Sequence, residues 1–262
     1  VHKKIVSKAF EKMNEDFPSR RDIPVKPDSF VLKPVAPDAT ATINYTSGTS
    51  GFSKGVELSH ASLISNIRYG QDNMPLVQGD RILSFSPMAH SSGCTFEFLF
   101  PFTLGCHITF LCKTPSPRII MEAFARVRPQ LILSVPLVIE KIYRKQVKPI
   151  LQKRTIRAAR KIGPIDKLLQ RKIYRRLYEA FGGKFHELVI GGAALNPEVE
   201  DFFRSISFPI TVGYGMTECG PLIAYSSWKT IRARSVGTPV DRMEVRIHST
   251  DPTGVVGEIL VR

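Results

Sequence analysis

A short stretch rich in hydroxyl side chains and glycine is the first candidate for chemistry. Residues 46–55 read TSGTSGFSKG and contain five Ser or Thr, three Gly and Lys54. Glycine lets the backbone approach a ligand and present its N–H groups, while hydroxyls and a lysine interact with anionic oxygens. The stretch predicts a loop that holds a triphosphate or pyrophosphate. The alternative is a flexible Gly/Ser turn, which the preceding strand, the following helix and the embedded lysine disfavour.

A second candidate is the sequence YGMTE at residues 214–218, which follows a short apolar run. Tyr214 offers a flat face for a base, Thr217 a hydroxyl for a phosphate, and Glu218 a hard oxygen ligand for Mg²⁺. The alternative is a turn after a strand with an ordinary exposed glutamate. This string therefore indicates a nucleotide site only in combination with others.

Two weaker candidates also follow apolar runs. Gly191 and Gly192 come after the run at 187–190, where a turn without side chains would allow close approach of a planar ring. A simple tight turn is the alternative there. His90 follows the run at 82–86, and a single histidine is more often structural than catalytic.

The elements that must position these residues are short strands alternating with helices. Ser59, Ser116 and Asn196 are predicted to cap helices, the first over 60–72, and a helix is predicted to end at Gly182 and Gly183. This alternation predicts an α/β fold with a mainly parallel β-sheet flanked by helices, in which ligands bind at the carboxyl ends of the strands. The predicted strands are 41–46, 82–86, 107–111, 131–134, 187–190, 209–213, 243–247 and 257–262.

Taken together, the four strings resemble the adenylate-forming (AMP-binding) superfamily of acyl-CoA synthetases, luciferases and peptide-synthetase adenylation domains. Residues 45–56 are similar to the family's YTSGTTGxPKGV loop, with Ser50 replacing the usual threonine and Ser53 the usual proline. Residues 214–218 match its YGxTE motif. The resemblance covers about residues 36–262 and implies the large domain of an acyl-CoA synthetase, with the start of a small β-subdomain at the C-terminal end.

The resemblance implies a two-step reaction with ATP, Mg²⁺ and coenzyme A. A carboxylate attacks the α-phosphate of ATP to give an acyl-adenylate and pyrophosphate, and a thiol then takes the acyl group. The residues implied to hold the phosphates are Thr46, Ser47, Gly48, Thr49, Ser50, Gly51 and Lys54. Those implied for the adenine and α-phosphate are Gly191, Gly192, Tyr214, Gly215, Met216 and Thr217. Thr46 and Glu218 would hold Mg²⁺, and His90, Thr217 and Lys54 would have catalytic roles.

The resemblance also suggests how the chain is divided. We expect an N-terminal helix and Pro-rich connector over 1–39, an α/β core over 40–230 with a basic helical insert at 141–182, and the start of a β-subdomain over 231–262. The chain opens with Val1 and closes inside a strand-like run, so we expect a piece of a longer protein. The family's ribose-binding aspartate, hinge and catalytic lysine belong beyond that run, so we expect the small C-terminal domain to be absent and the 262-residue chain to be nearly inactive.

The positive charge of the chain is concentrated in one segment. The formal net charge is +14, and residues 141–176 contain fourteen Lys or Arg and one acid, a net of +13. With apolar residues interleaved, this segment could lie on an anionic membrane as a peripheral contact. A solvated basic face is an equal alternative, and no nucleic acid is expected because no readout motif appears. The interleaved apolar residues are Ile142, Val147, Ile150, Leu151, Leu168, Leu169 and Ile173.

The same segment bears on the substrate. Residues 134–143, SVPLVIEKIY, together with the basic stretch resemble a segment of long-chain acyl-CoA synthetases, so we expect a fatty acid as the carboxylate substrate. An adenylating enzyme that loads a carrier protein is one alternative. A basic membrane- or nucleic-acid-binding module with a degenerate nucleotide site is the other.

Composition excludes several further classes. Hydrophobic residues make up 43% of the chain, enough for a substantial core, but no apolar run reaches the length of a membrane-spanning helix. The four cysteines form no CxxC pair, which disfavours a zinc cluster or a disulfide scaffold. A reducing, cytoplasmic compartment, with or without peripheral membrane contact, fits this cysteine usage best.

Overall fold

A hairpin of two antiparallel strands begins the core. In the computed structural model, which describes residues 34–47 and 52–262, β1 (Thr40–Thr46) pairs with β2 (Lys54–Ser59). Strand β1 confirms the predicted strand at 41–46, whereas β2 is not predicted. The glycine-rich loop therefore joins two strands of a hairpin, and the expectation that it leads directly from a strand into a helix is wrong. Only Leu58 of β2 is buried, so its apolar pattern is too weak to mark a strand.

Five short apolar runs form the main sheet, and every pair of neighbouring strands in it is parallel. The strand order is β4-β3-β5-β6-β7. The chain adds β4 on one side of β3 and then adds β5, β6 and β7 on the other side, so the strand order reverses between β3 and β5. This sheet confirms the predicted α/β fold. The strands are β3 (Arg81–Ser84), β4 (His107–Phe110), β5 (Leu131–Ser134), β6 (Glu187–Ile190) and β7 (Ile210–Val212).

Both faces of the main sheet are buried, because successive side chains of its strands enter different cores. Ile132, Leu188 and Ile190 belong to a core on one face, which is rich in phenylalanine. Leu131 and Val189 belong to a second core on the other face. Parallel strands covered on both faces read as continuous apolar runs, which is why the sequence marks them well.

Helices cover the sheet, and their starts follow the predicted caps. Ser59 Oγ accepts a hydrogen bond from Ser62 N at 3.2 Å, and Ser116 Oγ accepts one from Ile119 N at 3.3 Å. The α-helices are α1 (His60–Asn73), α2 (Phe100–Thr103), α3 (Pro117–Val127), α4 (Pro136–Ile142), α5 (Lys148–Leu151), α6 (Arg154–Ala159), α7 (Gly163–Ala180) and α8 (Pro197–Ser205). Two π-helical segments, Gly93–Leu99 and Tyr143–Val147, lead into α2 and α5.

Two small antiparallel sheets follow the main one. The first has the order β10-β9-β8, with β8 at Tyr214–Gly215, β9 at Leu222–Tyr225 and β10 at Thr238–Pro239. The second pairs β11 (Val245–His248) with β12 (Glu258–Val261), close to the predicted strands at 243–247 and 257–262. Strands β8 and β10 have two residues each, too short to produce a period in the sequence, and are not predicted. Strand β9 is a run of four buried residues, as long as β6, and is also not predicted.

Residues 37–262 form one compact unit. The predicted helix at 1–17 and most of the Pro-rich connector lie outside the described residues, as do Gly48, Thr49, Ser50 and Gly51.

The basic insert is helical, as predicted, but its apolar residues are used differently from the expectation. Ile142, Val147 and Ile173 are buried in the core beneath the sheet and cannot contact a membrane. Leu168, in contrast, is 68% exposed. The sequence pattern does not distinguish the apolar residues that pack the insert against the core from those on its outer surface.

The end of α7 provides a test of this packing. Gly182 has φ +99°, and a Cβ there would lie 2.7 Å from Phe124 O and 2.9 Å from Arg128 Cα. We expect Gly182→Ala to lower the free energy of unfolding by at least about 1 kcal/mol, because both the backbone conformation and the space exclude a side chain. Urea denaturation measures this.

Gly163→Ala is the matched control, because Gly163 has ordinary φ and no atom within 4 Å of the position that an added methyl group would occupy. Equal unfolding midpoints for the two variants would contradict the packing described for Gly182.

Candidate functional site

A well-formed hollow lies at the carboxyl ends of β3, β5, β6 and β7. Its volume is about 480 Å³, within the range typical of small-molecule sites. It is lined by residues from three of the four strings that the sequence singles out, separated by as much as 127 positions. These residues are His90, Gly191, Gly192, Tyr214, Gly215, Met216 and Thr217.

The topology of the sheet explains this convergence. Parallel strands end at the same edge of a sheet, and a crevice opens where the order of the strands reverses. Here that point lies between β3 and β5, which share a single register pair, Ile82 with Leu131. The loops after the strands diverge from that point and leave the hollow between them.

Backbone hydrogen bonds fix the glycine turn after β6. Gly191 N donates to Ser134 O at 3.0 Å, and Gly213 N donates to Ile190 O at 2.9 Å. Gly192 has φ +86°, a conformation that favours glycine. No side chain projects from either glycine, so the wall of the hollow is bare backbone at this point.

The YGMTE string forms a tight reversal between β8 and β9. Met216 N donates to Pro221 O at 2.9 Å, and Thr217–Cys219 forms one turn of 3-10 helix. A side chain at Gly215 would collide with the carbonyl oxygen of Pro221, so glycine is required there. Tyr214 and Thr217, at the two sides of this reversal, are half-exposed and both line the hollow.

Asn66 connects this reversal to α1. Its side chain is 5% exposed, its Nδ2 donates to Cys219 O at 3.3 Å, and its Oδ1 accepts from Leu222 N at 2.9 Å. One amide therefore fixes both ends of the turn that carries Thr217. Sequence reasoning missed Asn66, because a single polar residue in a helix gives no sign of burial.

Glu97 has an equivalent role for the loop that carries His90. Its carboxylate accepts from Phe85 N at 2.8 Å, Ser86 N at 2.9 Å and Ser86 Oγ at 2.6 Å. Burial raises the pKa of Glu97, and the hydrogen bonds from Ser86 oppose that rise. Sequence reasoning missed Glu97, although a single acid within the apolar run TFEFLF is a signal that could have found it. A charged group in such a run is rarely buried without a specific set of partners.

Asn44 ties the hairpin to the same loop. Its Nδ2 donates to Ala89 O at 2.7 Å, next to His90, and its Oδ1 is buried with no hydrogen-bond partner among the described residues. Strand β1 is therefore anchored beside the hollow. A residue of this kind, polar and pointing inward from a short strand, was also missed by sequence reasoning.

The predicted phosphate loop joins the two strands of this hairpin. Thr46 and Lys54 are register partners across the two strands, and β2 packs against Thr217–Cys219. Thr46, Ser47 and Lys54 are not among the residues that line the hollow. The middle of the loop, 48–51, lies outside the described residues, so the position of the complete phosphate loop stays a prediction.

The proposed magnesium ligands fit the ion in part. Glu218 is exposed and makes no hydrogen bond or ion pair to a described residue. In residues 34–47 and 52–262, no cluster of three or more His, Cys, Asp or Glu could hold a metal ion. Mg²⁺ binds through one or two protein ligands together with phosphate oxygens and water. Glu218 and Thr46 therefore suit an ion that arrives with a nucleotide.

Comparison with known proteins agrees with this geometry. A family model described as AMP-binding enzyme matches residues 2–262, and the chain belongs to this family of adenylate-forming enzymes. Long chain acyl-CoA synthetase 6, a peroxisomal protein of Arabidopsis thaliana, is 31% identical over 87% of this chain and 35% of its own length.

One further relative and one solved structure are also similar to this chain. An Arabidopsis thaliana chloroplast protein, long-chain-fatty-acid–[acyl-carrier-protein] ligase AEE15, is 27% identical over 86% of this chain and 37% of its own length. The crystal structure of apo MatB from Rhodopseudomonas palustris superposes with a TM-score of 0.67 at 21% identity, covering 89% of this chain and 41% of that one. The chain thus spans about two fifths or less of these relatives, and the structural match shows the shared fold.

The hydrogen bonds of Asn66 to the turn that carries Thr217 can be tested directly. We expect Asn66→Ala to lower the free energy of unfolding by about 1–3 kcal/mol, because it leaves the buried Leu222 N without its acceptor. Asn73→Ala is the matched control on the same helix, since the amide of Asn73 bonds to Tyr69 O of its own helix. Thermal unfolding of the two variants measures the difference. Equal losses would show that the Asn66 bridge does not stabilise the turn.

Proposed function

We propose that the hollow binds the adenosine part of ATP and that its rim activates a carboxylate. The observation that carries this proposal is the meeting of three distant strings at one sheet edge. The bare backbone at Gly191 and Gly192 suits the edge of a purine, and Tyr214 offers a ring for stacking. Thr217 adds a hydroxyl where the α-phosphate would follow.

The reaction proposed for the whole protein begins with attack on phosphorus. A carboxylate oxygen of the substrate forms a bond to the α-phosphorus, and the bond from that phosphorus to the bridging oxygen of the β-phosphate breaks. Pyrophosphate leaves with the electron pair, and an acyl-adenylate remains. Lys54 and the hydroxyls of the loop would hold the departing phosphates, since fixed donors stabilise charge that develops there.

Magnesium, when bound through Glu218 and Thr46, would neutralise charge on the phosphate oxygens. His90 also lines the hollow, on a loop whose first residues are hydrogen-bonded to Glu97. We propose that it lies where the activated carbonyl meets an incoming thiol. In the second step the thiol loses its proton to solvent and its sulfur forms a bond to that carbonyl carbon. The bond from that carbon to the phosphate oxygen of the adenylate breaks, and AMP leaves with the electron pair.

Relatives support a fatty acid as the carboxylate. Acyl-CoA synthetases and a ligase for acyl-carrier protein both match this chain at 27–31% identity, so we propose a long-chain acid with coenzyme A as the thiol acceptor. A carrier-protein thiol is the alternative, and acceptor assays with the two thiols distinguish them. Low turnover by the 262-residue chain itself stays a prediction, which pyrophosphate release would test.

Nucleotide binding tests the proposed function without requiring turnover. Excess ATP with Mg²⁺ should raise the unfolding temperature, because a ligand at 100 times its Kd stabilises by about 2.7 kcal/mol. Lys54→Ala should weaken ATP affinity by about ten-fold or more, since it removes a charged hydrogen-bond donor. Isothermal titration calorimetry measures this change.

Lys184→Ala is the control, because Lys184 is an exposed lysine just before β6, at the sheet edge away from the hollow. Unchanged ATP affinity in Lys54→Ala would remove the phosphate loop from the proposal. Absence of any stabilisation by ATP would favour the degenerate binding module instead.

We also propose that the outer surface of the basic insert contacts an anionic membrane. Ile162, Ile165 and Leu168 form an apolar ridge at the start of α7, with exposures of 52%, 44% and 68%. Thirteen of the fourteen cations in 141–176 are exposed, and eleven form no ion pair with a described residue. Apolar side chains among unpaired cations suit the boundary of an anionic bilayer. None of the described helices is long and apolar enough to span one.

Sedimentation with liposomes tests this contact. The triple variant Ile162→Ser, Ile165→Ser and Leu168→Ser should lose most binding to vesicles that contain phosphatidylserine, while wild-type binding should decrease as salt rises. The control changes exposed apolar residues elsewhere, Val255→Ser with Val256→Ser. Equal vesicle binding by wild type and triple variant, or preferential binding to duplex DNA, would contradict the proposal.

A further inference from the structure

A second hollow lies within the basic insert, between α7 and the short helices before it. Its volume is about 320 Å³, and it shares no lining residue with the hollow at the sheet edge. It lies between helices that pack on one face of the sheet, whereas the first hollow is formed by the loops that follow the strands. The two are therefore separate sites.

The interior of this second hollow is aliphatic. Val147, Ile173 and Leu177 form part of the buried core, and Ile150, Ile156 and Leu169 are half-buried around it. Carboxyl, hydroxyl and aromatic groups are all missing from the set of residues that lines it. An apolar wall that remains open to water is unfavourable, and an apolar ligand would remove that contact with water.

The charged residues that line the hollow are both positive. Lys172 and Arg176 are exposed, lie one turn apart on α7, and form no ion pair with a described residue. Gln146 is the remaining polar residue of the lining. The one acid of residues 141–176, Asp166, is bound by Arg160 at 3.1 Å. The surroundings therefore attract an anion, and residues three and four apart on a helix can approach the same group.

We propose that this hollow is an accessory binding site for a free long-chain fatty acid. The acyl chain would lie among the aliphatic side chains, and the carboxylate would contact Lys172 and Arg176. The identity of the ligand rests on the proposed function, which makes this class of molecule the substrate, but the binding itself requires no catalysis. The site would hold a fatty acid away from the reaction, on the surface that faces the membrane.

The size of the hollow favours a free fatty acid over a phospholipid. A volume of about 320 Å³ lies at the lower end for ligand sites, with room for one chain rather than two. Two cations side by side match a carboxylate. An uncharged alcohol of the same chain length would fill the same space but leave Lys172 and Arg176 unpaired, which makes it a suitable competitor for the test.

Photolabelling of the 262-residue chain with a diazirine-bearing palmitic acid tests the proposal. Irradiation followed by peptide mass spectrometry should place adducts within 146–156 and 169–177. Unlabelled palmitate should compete for these positions, whereas hexadecanol should compete much less. Lys172→Gln with Arg176→Gln should remove this difference between the two competitors.

Two tryptophan variants form a matched pair. Leu169→Trp should fill the hollow and abolish labelling of both segments, whereas Leu168→Trp, on the exposed ridge beside it, should leave labelling intact. Circular dichroism confirms that each variant is folded. If Leu169→Trp does not fold, Ile156→Trp serves as the second variant that fills the hollow.

The positions of the adducts separate the two proposals. Adducts restricted to 86–97, 189–192 and 213–222 would overturn the accessory site and leave the proposed function intact. Adducts in neither region would overturn the accessory site and also count against a fatty acid substrate. A diazirine-bearing phosphatidylserine that labels 146–156 and 169–177 better than the fatty acid would overturn the choice of a free acid.

Discussion

The whole candidate site depends on one constraint, the shared edge at which parallel strands end. Strands β3, β5, β6 and β7 finish side by side, so the loops after them must meet whatever their distance in sequence. The reversal of strand order at β3 and β5 keeps those loops apart enough to leave a hollow. Without this topology, the three loops that carry His90, Gly191 and Tyr214 would not line one hollow. The buried faces of the sheet, each packed in its own core, keep that edge rigid.

Buried polar side chains convert this edge into a defined surface. Asn66 fixes the turn that carries Thr217, Glu97 fixes the loop that carries His90, and Asn44 attaches the hairpin to that same loop. Asn66 and Glu97 would be costly to bury without their hydrogen bonds, so each one selects a single arrangement of its loop. A site that must stabilise developing charge needs donors held in place beforehand.

The sequence was sufficient to predict the five main strands, the helix caps and seven of the residues that line the hollow. Strands such as β6, buried on both faces, leave continuous apolar runs, and the cap at Ser59 leaves a local signature. Strand β2 was not predicted because only one of its residues, Leu58, is buried. The buried partner Asn66 was not predicted because its contacts with Cys219 and Leu222 are distant in sequence. The sequence analysis also treated the apolar residues of the basic insert as one set, although some of them are buried and others are exposed. A helix that packs on a core and faces outward carries two sets of apolar residues, and periodicity alone does not distinguish Ile173 from Leu168.

The central claim is that the hollow at the sheet edge is the adenosine site. A crystal structure with a non-hydrolysable acyl-sulfamoyl adenosine tests it most directly. We expect the purine beside Gly191 and Gly192 with its face toward Tyr214, and the sulfamoyl group next to Thr217. Density for the compound within the basic insert, or at any surface remote from β6 and β7, would contradict the claim.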